Sequence, residues 1–478
     1  MIDLRPVLHA IGTLLGLLAA AMVLPAMLDL VDGQREWQAF AVAAALTMLV
    51  GLALVLGTRT ERRPLTVRQA HLAAALCFTV PVGFAALPLA FGPAQLSLSD
   101  AVFEAASGLT TTGATVLHGL DQMPRGLLLW RALLNWMGGI GALVLGVAVL
   151  PGLAVGGMQT FRLEGSGGFD RTAKVISAII SIYAGITAAL AAMLWLAGLN
   201  GFDAWVHAMS TISTGGFSSS DASVGRFDNA AVDVIVTLGM IVGGMPFLLL
   251  FRIARGRWRT AVRDQQLHWY LALLLLATAG IALWLSVARG LPTGEALRFG
   301  AFTVASVMTG TGLFTVDFGG WDGMPVAILF FLAFVGGCAG STAAGIRVFR
   351  FQCLFANALV QVRRLLRPHA VLIPTFNRRP IPDEVLESVM GYLFVYALAF
   401  AVLSMALAFL GLDFVTAVSG AASALANLGP GLGAEIGPGG SYAGLPDAAK
   451  WLLSGAMLFG RLELFVVLVL FVPGFWRQ

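Results

Sequence analysis

Residues 107–117 read S-G-L-T-T-T-G-A-T-V-L. A run of threonines between two glycines is poor helix-forming material. It carries no charge and no catalytic side chain, yet it interrupts a chain made largely of Leu, Ala, Val and Phe. It does not stand alone. The breaks are S-G-L-T-T-T-G-A at 107–114, S-T-I-S-T-G-G-F at 210–217, S-V-M-T-G-T-G-L at 306–313 and S-A-L-A-N-L-G-P at 423–430. Each falls between two apolar runs. A single Gly/Thr kink in a long helix is unremarkable, but four at matched positions are not a coincidence of composition. Irregular backbone at membrane depth is tolerated only where it is buried in protein or lines a watery cavity. Four equivalent breaks would converge on one axis, where backbone carbonyls replace the hydration shell of an ion. Glycine permits the φ values and close approach this requires, and the expected key glycines are Gly113, Gly215, Gly312 and Gly429. Threonine hydroxyls would add oxygen ligands. The stretch before each break, such as D-A-V-F-E-A-A-S at 100–107, suits a half-spanning helix whose negative C-terminal end faces the ion. Neutral oxygens with no ring of charge suit a hard monovalent cation.

The composition demands a membrane around these breaks. The 478 residues are 58% hydrophobic and 11% charged, whereas soluble domains carry about 25% charged residues. Crossing ~30 Å of hydrocarbon takes about 20 residues. Ten such runs are readable, at 8–29, 38–57, 70–92, 127–150, 174–199, 230–251, 269–288, 324–350, 388–411 and 451–474. The first is too long for a signal peptide and lacks a clear cleavage site. Cys77, Cys338 and Cys353 fit no zinc or disulfide pattern. His9, His71, His118, His207, His268 and His369 are scattered, and no phosphate-cradling loop or nucleophile elbow is present. The spans read as nearly bare of charge apart from Arg461 and Glu463, so an enzyme is not expected.

The loops alternate in charge. One set holds Arg59, Arg62, Arg63, Arg68, Arg162, Arg171, Lys174, Arg252, Arg255, Arg257, Arg259 and Arg263. Its last loop holds Arg347, Arg350, Arg363, Arg364, Arg367, Arg378 and Arg379. With Arg5 and Arg477, this side holds most of the 29 basic residues and is expected to be cytoplasmic, with both termini. The opposite side gathers acids including Asp100, Asp121, Asp203, Asp221, Asp317, Asp413 and Glu435. These read either as ordinary solvated loops or as a field that concentrates cations. Successive two-span units share one orientation, so the repeats are parallel. That argues against a solute carrier built from inverted repeats.

Taken together, F-E-A-A-S-G-L-T-T-T-G-A-T-V (103–116), N-W-M-G-G-I-G (135–141), S-T-I-S-T-G-G-F-S (210–218), G-G-C-A-G-S-T-A-A-G-I-R (336–347), N-L-G-P-G-L-G (427–433) and G-R-L-E-L-F (460–465) resemble the Trk/Ktr/HKT superfamily of potassium transporters. The likeness is greatest to the bacterial Trk-type membrane subunit. It implies an all-α integral membrane protein: two N-terminal helices (1–65), then four parallel M1–pore helix–M2 repeats (66–160, 161–262, 263–365 and 366–478) around one pore. It makes Thr111, Thr112 and Gly113 the first filter strand, then Thr214 with Gly215, Thr311 with Gly312, and Asn427 and Leu428 with Gly429. K+ is the implied cargo. A glycine at 113, where sodium-preferring members often carry serine, favours potassium; the alternative is a Na+-permeable or ion-coupled secondary transporter of the same fold. The family's other implied features are a homodimer in the bacterial inner membrane and a cytosolic nucleotide-binding regulatory subunit, with no nucleic acid partner. The basic loops suit either that subunit or anionic lipid.

Two features remain. The small residues Gly336, Gly337, Gly340, Ser341, Thr342 and Gly345 interrupt the span from 324. They suit tight helix packing, or the gating loop that the resemblance implies beneath the filter. Arg461 lies inside the last span, where a charge is costly. Glu463, two residues on, falls on a different helix face. The resemblance places Arg461 under the filter, as a barrier to leak.

Overall fold

Two long helices, Arg5–Val31 and Trp37–Gly57, lead the chain. They approach backbone to backbone: a Cβ added at Gly12 would stand 2.8 Å from the Gly51 carbonyl oxygen, and one at Gly51 2.9 Å from that of Gly12. Small residues allow this approach. The computed structural model describes residues 3–58, 65–92, 95–149, 153, 156–157 and 168–477, without the side chains of 147, 148 and 168–172. Arg59, Arg62, Arg63 and Arg162 lie outside the described residues, and so does the side chain of Arg171. The buried Asp29 at the end of the first helix accepts the Gly126 N–H at 2.7 Å. It thereby serves the positive N-terminus of the helix Arg125–Val144, where a carboxylate is favoured.

One local sequence of elements then occurs four times: a long helix, a short half-helix, an irregular break and a second helix. The long helices are Val67–Ala85, Gly168–Leu196, Gln265–Ala288 and Asp383–Phe409. The half-helices are Leu98–Leu109, Gly201–Ile212, Thr293–Thr309 and Phe414–Ala426. Ser97, Asn200 and Asp413 cap three of them by accepting the N–H groups of Asp100, Asp203 and Thr416. Those Thr416 hydrogen bonds hold the Asp413 carboxyl below the usual carboxylate range. Part of the acidic side is thus helix capping. Strand structure among the described residues is one two-residue hairpin, Thr375–Phe376 with Arg379–Pro380.

Among the described residues, seven helices are long and apolar enough to cross a membrane. Large apolar side chains such as Leu275, Leu283, Phe394 and Phe409 stand exposed on them, as a lipid-facing surface requires. Two expected spans are not single helices. The run at 230–251 is Ala230–Gly243 followed by Phe247–Ala254, bent by 104°, and that at 451–474 is Asp447–Leu462 followed by Leu464–Phe471, bent by 109°. Pro246 explains the first, because proline cannot donate into the helical ladder. Glu463, at φ 68, marks the second. The run at 324–350 is interrupted as expected, between Met324–Val335 and Val348–Leu366.

Replacing Gly12 by Leu is expected to wedge the two leading helices apart. Overpacking of this kind costs about 1–3 kcal/mol, read as a lower melting temperature of the purified chain in detergent. An unchanged melting temperature would contradict the close approach.

Candidate functional site

In every break the N–H five residues after a serine returns to that serine's carbonyl. Thr112 bonds Ser107 at 2.8 Å, Gly215 bonds Ser210 at 2.9 Å, Thr311 bonds Ser306 at 2.8 Å and Leu428 bonds Ser423 at 2.9 Å. The residue before each is left-handed: Thr111, Thr214, Gly310 and Asn427, at φ 54, 52, 71 and 51. So is the residue after: Gly113, Gly216, Gly312 and Gly429, at φ 84, 78, 77 and 101. This register corrects one expectation. The glycine of the second break that matches Gly113 is Gly216; Gly215 matches Thr112. Adjacent glycines in the sequence hide the choice, and the hydrogen bond from Gly215 to Ser210 makes it.

The four breaks close into a ring. A Cβ added at Gly113 would stand 2.5 Å from the Gly215 carbonyl oxygen, and one at Gly429 2.6 Å from that of Thr112. At Gly216 it would overlap the Thr311 carbonyl oxygen, and at Gly312 that of Leu428. Each glycine therefore abuts the carbonyl that precedes the next glycine, around all four breaks and back to the first. Among the described residues no hydrogen-bond donor reaches the carbonyl oxygens of Thr112, Gly215, Thr311 or Leu428, although these residues are buried. Carbonyls inside a protein are nearly always paired, so these four are available to accept from a ligand in the ring. Gly113, Gly216, Gly312 and Gly429 all line one open cavity of about 280 Å³, together with His118 and Asp221.

Side chains brace the ring from behind. Ser423 Oγ and the Tyr442 hydroxyl both donate to the Gly429 carbonyl at 2.8 Å. Asn427 Nδ2 donates to Thr112 Oγ1 at 2.9 Å, tying the fourth break to the first. Of the threonine hydroxyls expected as ligands, those of Thr112, Thr214 and Thr311 bond protein neighbours. That of Thr111 is buried without a partner.

The interrupted span forms a loop pinched at its neck. Ile346 N–H donates to Phe334 O at 3.0 Å and Arg347 N–H to Val335 O at 2.9 Å. The loop fills the Pro246 bend: Cys338 N–H donates to Gly244 O at 3.0 Å, Thr342 N–H to Gly243 O at 3.2 Å, and Phe247 N–H to Gly340 O at 2.9 Å. Thr342 Oγ1 reaches Ile212 O at 3.0 Å and lies 3.4 Å from Thr214 Oγ1, in the second break. Arg461 Nη1 donates to Thr342 O at 2.8 Å. The Arg461 side chain is buried, and its Nε and Nη2 have no partner. Gly336, Gly337, Gly340, Ser341, Thr342, Gly345 and Arg461 are thus brought together on one side of the second break.

Several residues that matter here were misread or missed in the sequence. Arg347 and Arg350, grouped with the cytoplasmic loop, are buried. They bind Glu463 at 3.5 and 2.5 Å, while the Arg350 guanidinium also lies 3.7 Å from the Tyr392 ring centroid. Glu463 pairs with these two rather than with Arg461. The spans are not otherwise bare. Glu104 in the first half-helix and Arg131 in the helix after it form a buried pair at 2.7 Å, and the buried Lys450 binds Asp100 at 2.6 Å. The interval between Glu104 and Arg131 matches no local motif, so periodicity had no means of pairing them.

The family model for cation transport proteins, TrkH, matches residues 36–477. The chain belongs to the TrkH family. Among its relatives, Trk system potassium uptake protein TrkI of Halomonas elongata is 41% identical over 99% of this chain and 97% of that one. Trk system potassium uptake protein TrkH of Escherichia coli K12 is 36% identical over 99% of both. The crystal structure of the potassium transporter TrkH from Vibrio parahaemolyticus matches with a TM-score of 0.92 at 34% identity, covering 100% of each chain. This TrkH-family chain is therefore an all-α integral membrane protein.

The ring makes a differential prediction at adjacent glycines. Gly216→Ala puts a side chain at φ 78 against the Thr311 backbone and should abolish rubidium flux into proteoliposomes. Gly215→Ala, whose φ is not left-handed, meets the Asn135 side chain up to its Cβ rather than the ring backbone, so paired with Asn135→Gly it should keep part of the flux. The reverse order would refute the register.

Proposed function

We propose that the chain is a potassium uptake transporter of the bacterial inner membrane, with a channel-like pore whose selectivity filter is the four-break ring. The observation that carries this reading is the set of four carbonyls, of the buried residues Thr112, Gly215, Thr311 and Leu428, that no donor among the described residues reaches. Such oxygens substitute for the water shell of a dehydrated cation. The half-helices deliver their partially negative C-terminal ends to the same place. The potassium uptake named for the relatives agrees in cargo.

The loop at 336–347 is read as the gate. It is tethered beneath the second break by hydrogen bonds, and Arg461 fixes it through the Thr342 carbonyl. The positive charge of Arg461, with two N–H groups unpaired, raises the barrier for a cation leaving the ring. The basic loops carry exposed Arg255, Arg257, Arg259, Arg363, Arg364 and Arg367. They are tied together by Gln265 and Asn377, each donating its N–H to the other's side chain at 2.8 Å. This side is read as cytoplasmic, and as the docking face for a nucleotide-binding regulatory subunit. The working unit is proposed to be a homodimer.

The test is uptake of rubidium into liposomes holding the purified chain, with competition by potassium, sodium and lithium. Potassium should compete strongly and sodium poorly. Equal competition by sodium in the unaltered chain would remove the selectivity claim and favour a Na+-permeable transporter. Arg461→Ala should raise flux several-fold, since removing even ~1 kcal/mol of barrier speeds passage about fivefold. Unchanged or lower flux in a well-folded Arg461→Ala chain would refute its role as a barrier.

A further inference from the structure

Glu104 and Arg131 are two full charges buried beside the ring, at 0% and 1% exposure. Arg131 Nε donates to Glu104 Oε1 at 2.7 Å. The other guanidinium nitrogens reach different breaks: Nη1 donates to Ser218 O at 3.0 Å and Nη2 to Thr115 Oγ1 at 3.1 Å. The guanidinium also lies 4.1 Å from the Phe217 ring centroid. On the other side, Glu104 Oε2 accepts the Val116 N–H at 2.9 Å and the Thr115 hydroxyl at 3.1 Å. One ion pair thus grips the strand leaving the first break, at Thr115 and Val116, and the strand leaving the second, at Phe217 and Ser218. Gly113 and Gly216 are the ring members just before those strands. They are neighbours in the ring, a Cβ on Gly113 falling 3.2 Å from Gly216 Cα.

The arrangement is one-sided. Counting three residues back from each recurring serine gives Glu104, His207, Thr303 and Gly420. His207 Nε2 meets Ser218 Oγ at 3.0 Å, on the same side as the pair. The third and fourth breaks are braced by neutral hydroxyls, Ser306 to the Leu313 carbonyl at 2.5 Å and Ser423 to that of Gly429. A buried ion pair is weak evidence for stability, because desolvation offsets the attraction and an apolar replacement is often neutral. What a guanidinium supplies is fixed angles to several acceptors at once.

We propose that the Glu104–Arg131 pair is a positioning clamp that sets the spacing of the Gly113–Gly216 side of the ring, and through it the discrimination between K+ and the smaller Na+. The clamp rests on the potassium-filter reading above. It touches no ion. It acts by holding backbone whose carbonyls do, since carbonyl number and spacing govern selectivity.

Ion-dependent melting of the purified full-length chain in detergent tests this without requiring an open gate. The readout is the concentration of KCl or NaCl that gives half-maximal stabilisation. The unaltered chain should respond to potassium at lower concentration than to sodium. In Glu104→Gln that ratio should fall about tenfold, the equivalent of ~1.4 kcal/mol. Glu104→Gln leaves Arg131 charged and uncompensated, so the variant carrying both Glu104→Gln and Arg131→Met separates charge from geometry. It is neutral, should fold if the single variant does not, and should still lack the preference. A preference retained in the double variant would overturn the clamp while leaving the filter reading intact. Equal stabilisation of the unaltered chain by both salts would overturn the filter reading and the clamp with it.

Discussion

A backbone carbonyl without a donor in a buried residue is costly, and among the described residues each of the four breaks holds one in the ring. That constraint explains much of the surrounding structure. The oxygens can stay unpaired only if something prevents the chain from coiling on into a helix and pairing them. The left-handed residues do so at each break, at Thr111, Thr214, Gly310 and Asn427. Glycine at the next turn is then required twice over, by its own positive φ and by the neighbouring carbonyl that occupies the space of a side chain. L-residues pay for left-handed backbone at roughly 1–2 kcal/mol each. The half-helix on one side of each break and the braced strand on the other offset that strain.

The second helices of the last three units are broken as well, and their breaks satisfy one another. The bend at Pro246 turns the chain away from the carbonyls of Gly243 and Gly244, and the loop from 336 supplies N–H groups to both. The left-handed Glu463 at the last bend is held by Arg347 and Arg350, which lie at the end of that same loop. The loop is closed at its neck by two hydrogen bonds and held at Thr342 by Arg461.

Much of the fold was legible in the sequence because its signals are strong in one dimension. Apolar runs of membrane length, a serine-to-glycine break that recurs and arginine-rich alternate loops all survive without knowledge of contacts. The interruption at 336–345 was readable from small residues alone. The bend at Pro246 was present as G-G-M-P but was masked by the hydrophobicity around it. The bend at Glu463 has no local signal, since it depends on arginines more than a hundred residues away.

By itself the sequence determined that the chain lives in lipid, that it breaks four times, and which small residues occupy the breaks. Local propensity and hydrophobic length are properties of neighbours along the chain. Only the tertiary structure decided that Gly216 rather than Gly215 takes the position of Gly113 in the ring, that Glu463 answers Arg347 and Arg350, and that Glu104 meets Arg131. The physical reason is common to all three. A hydrogen bond or a buried charge selects its partner by distance and angle in space, and inside a low-dielectric core that selection outweighs proximity in sequence.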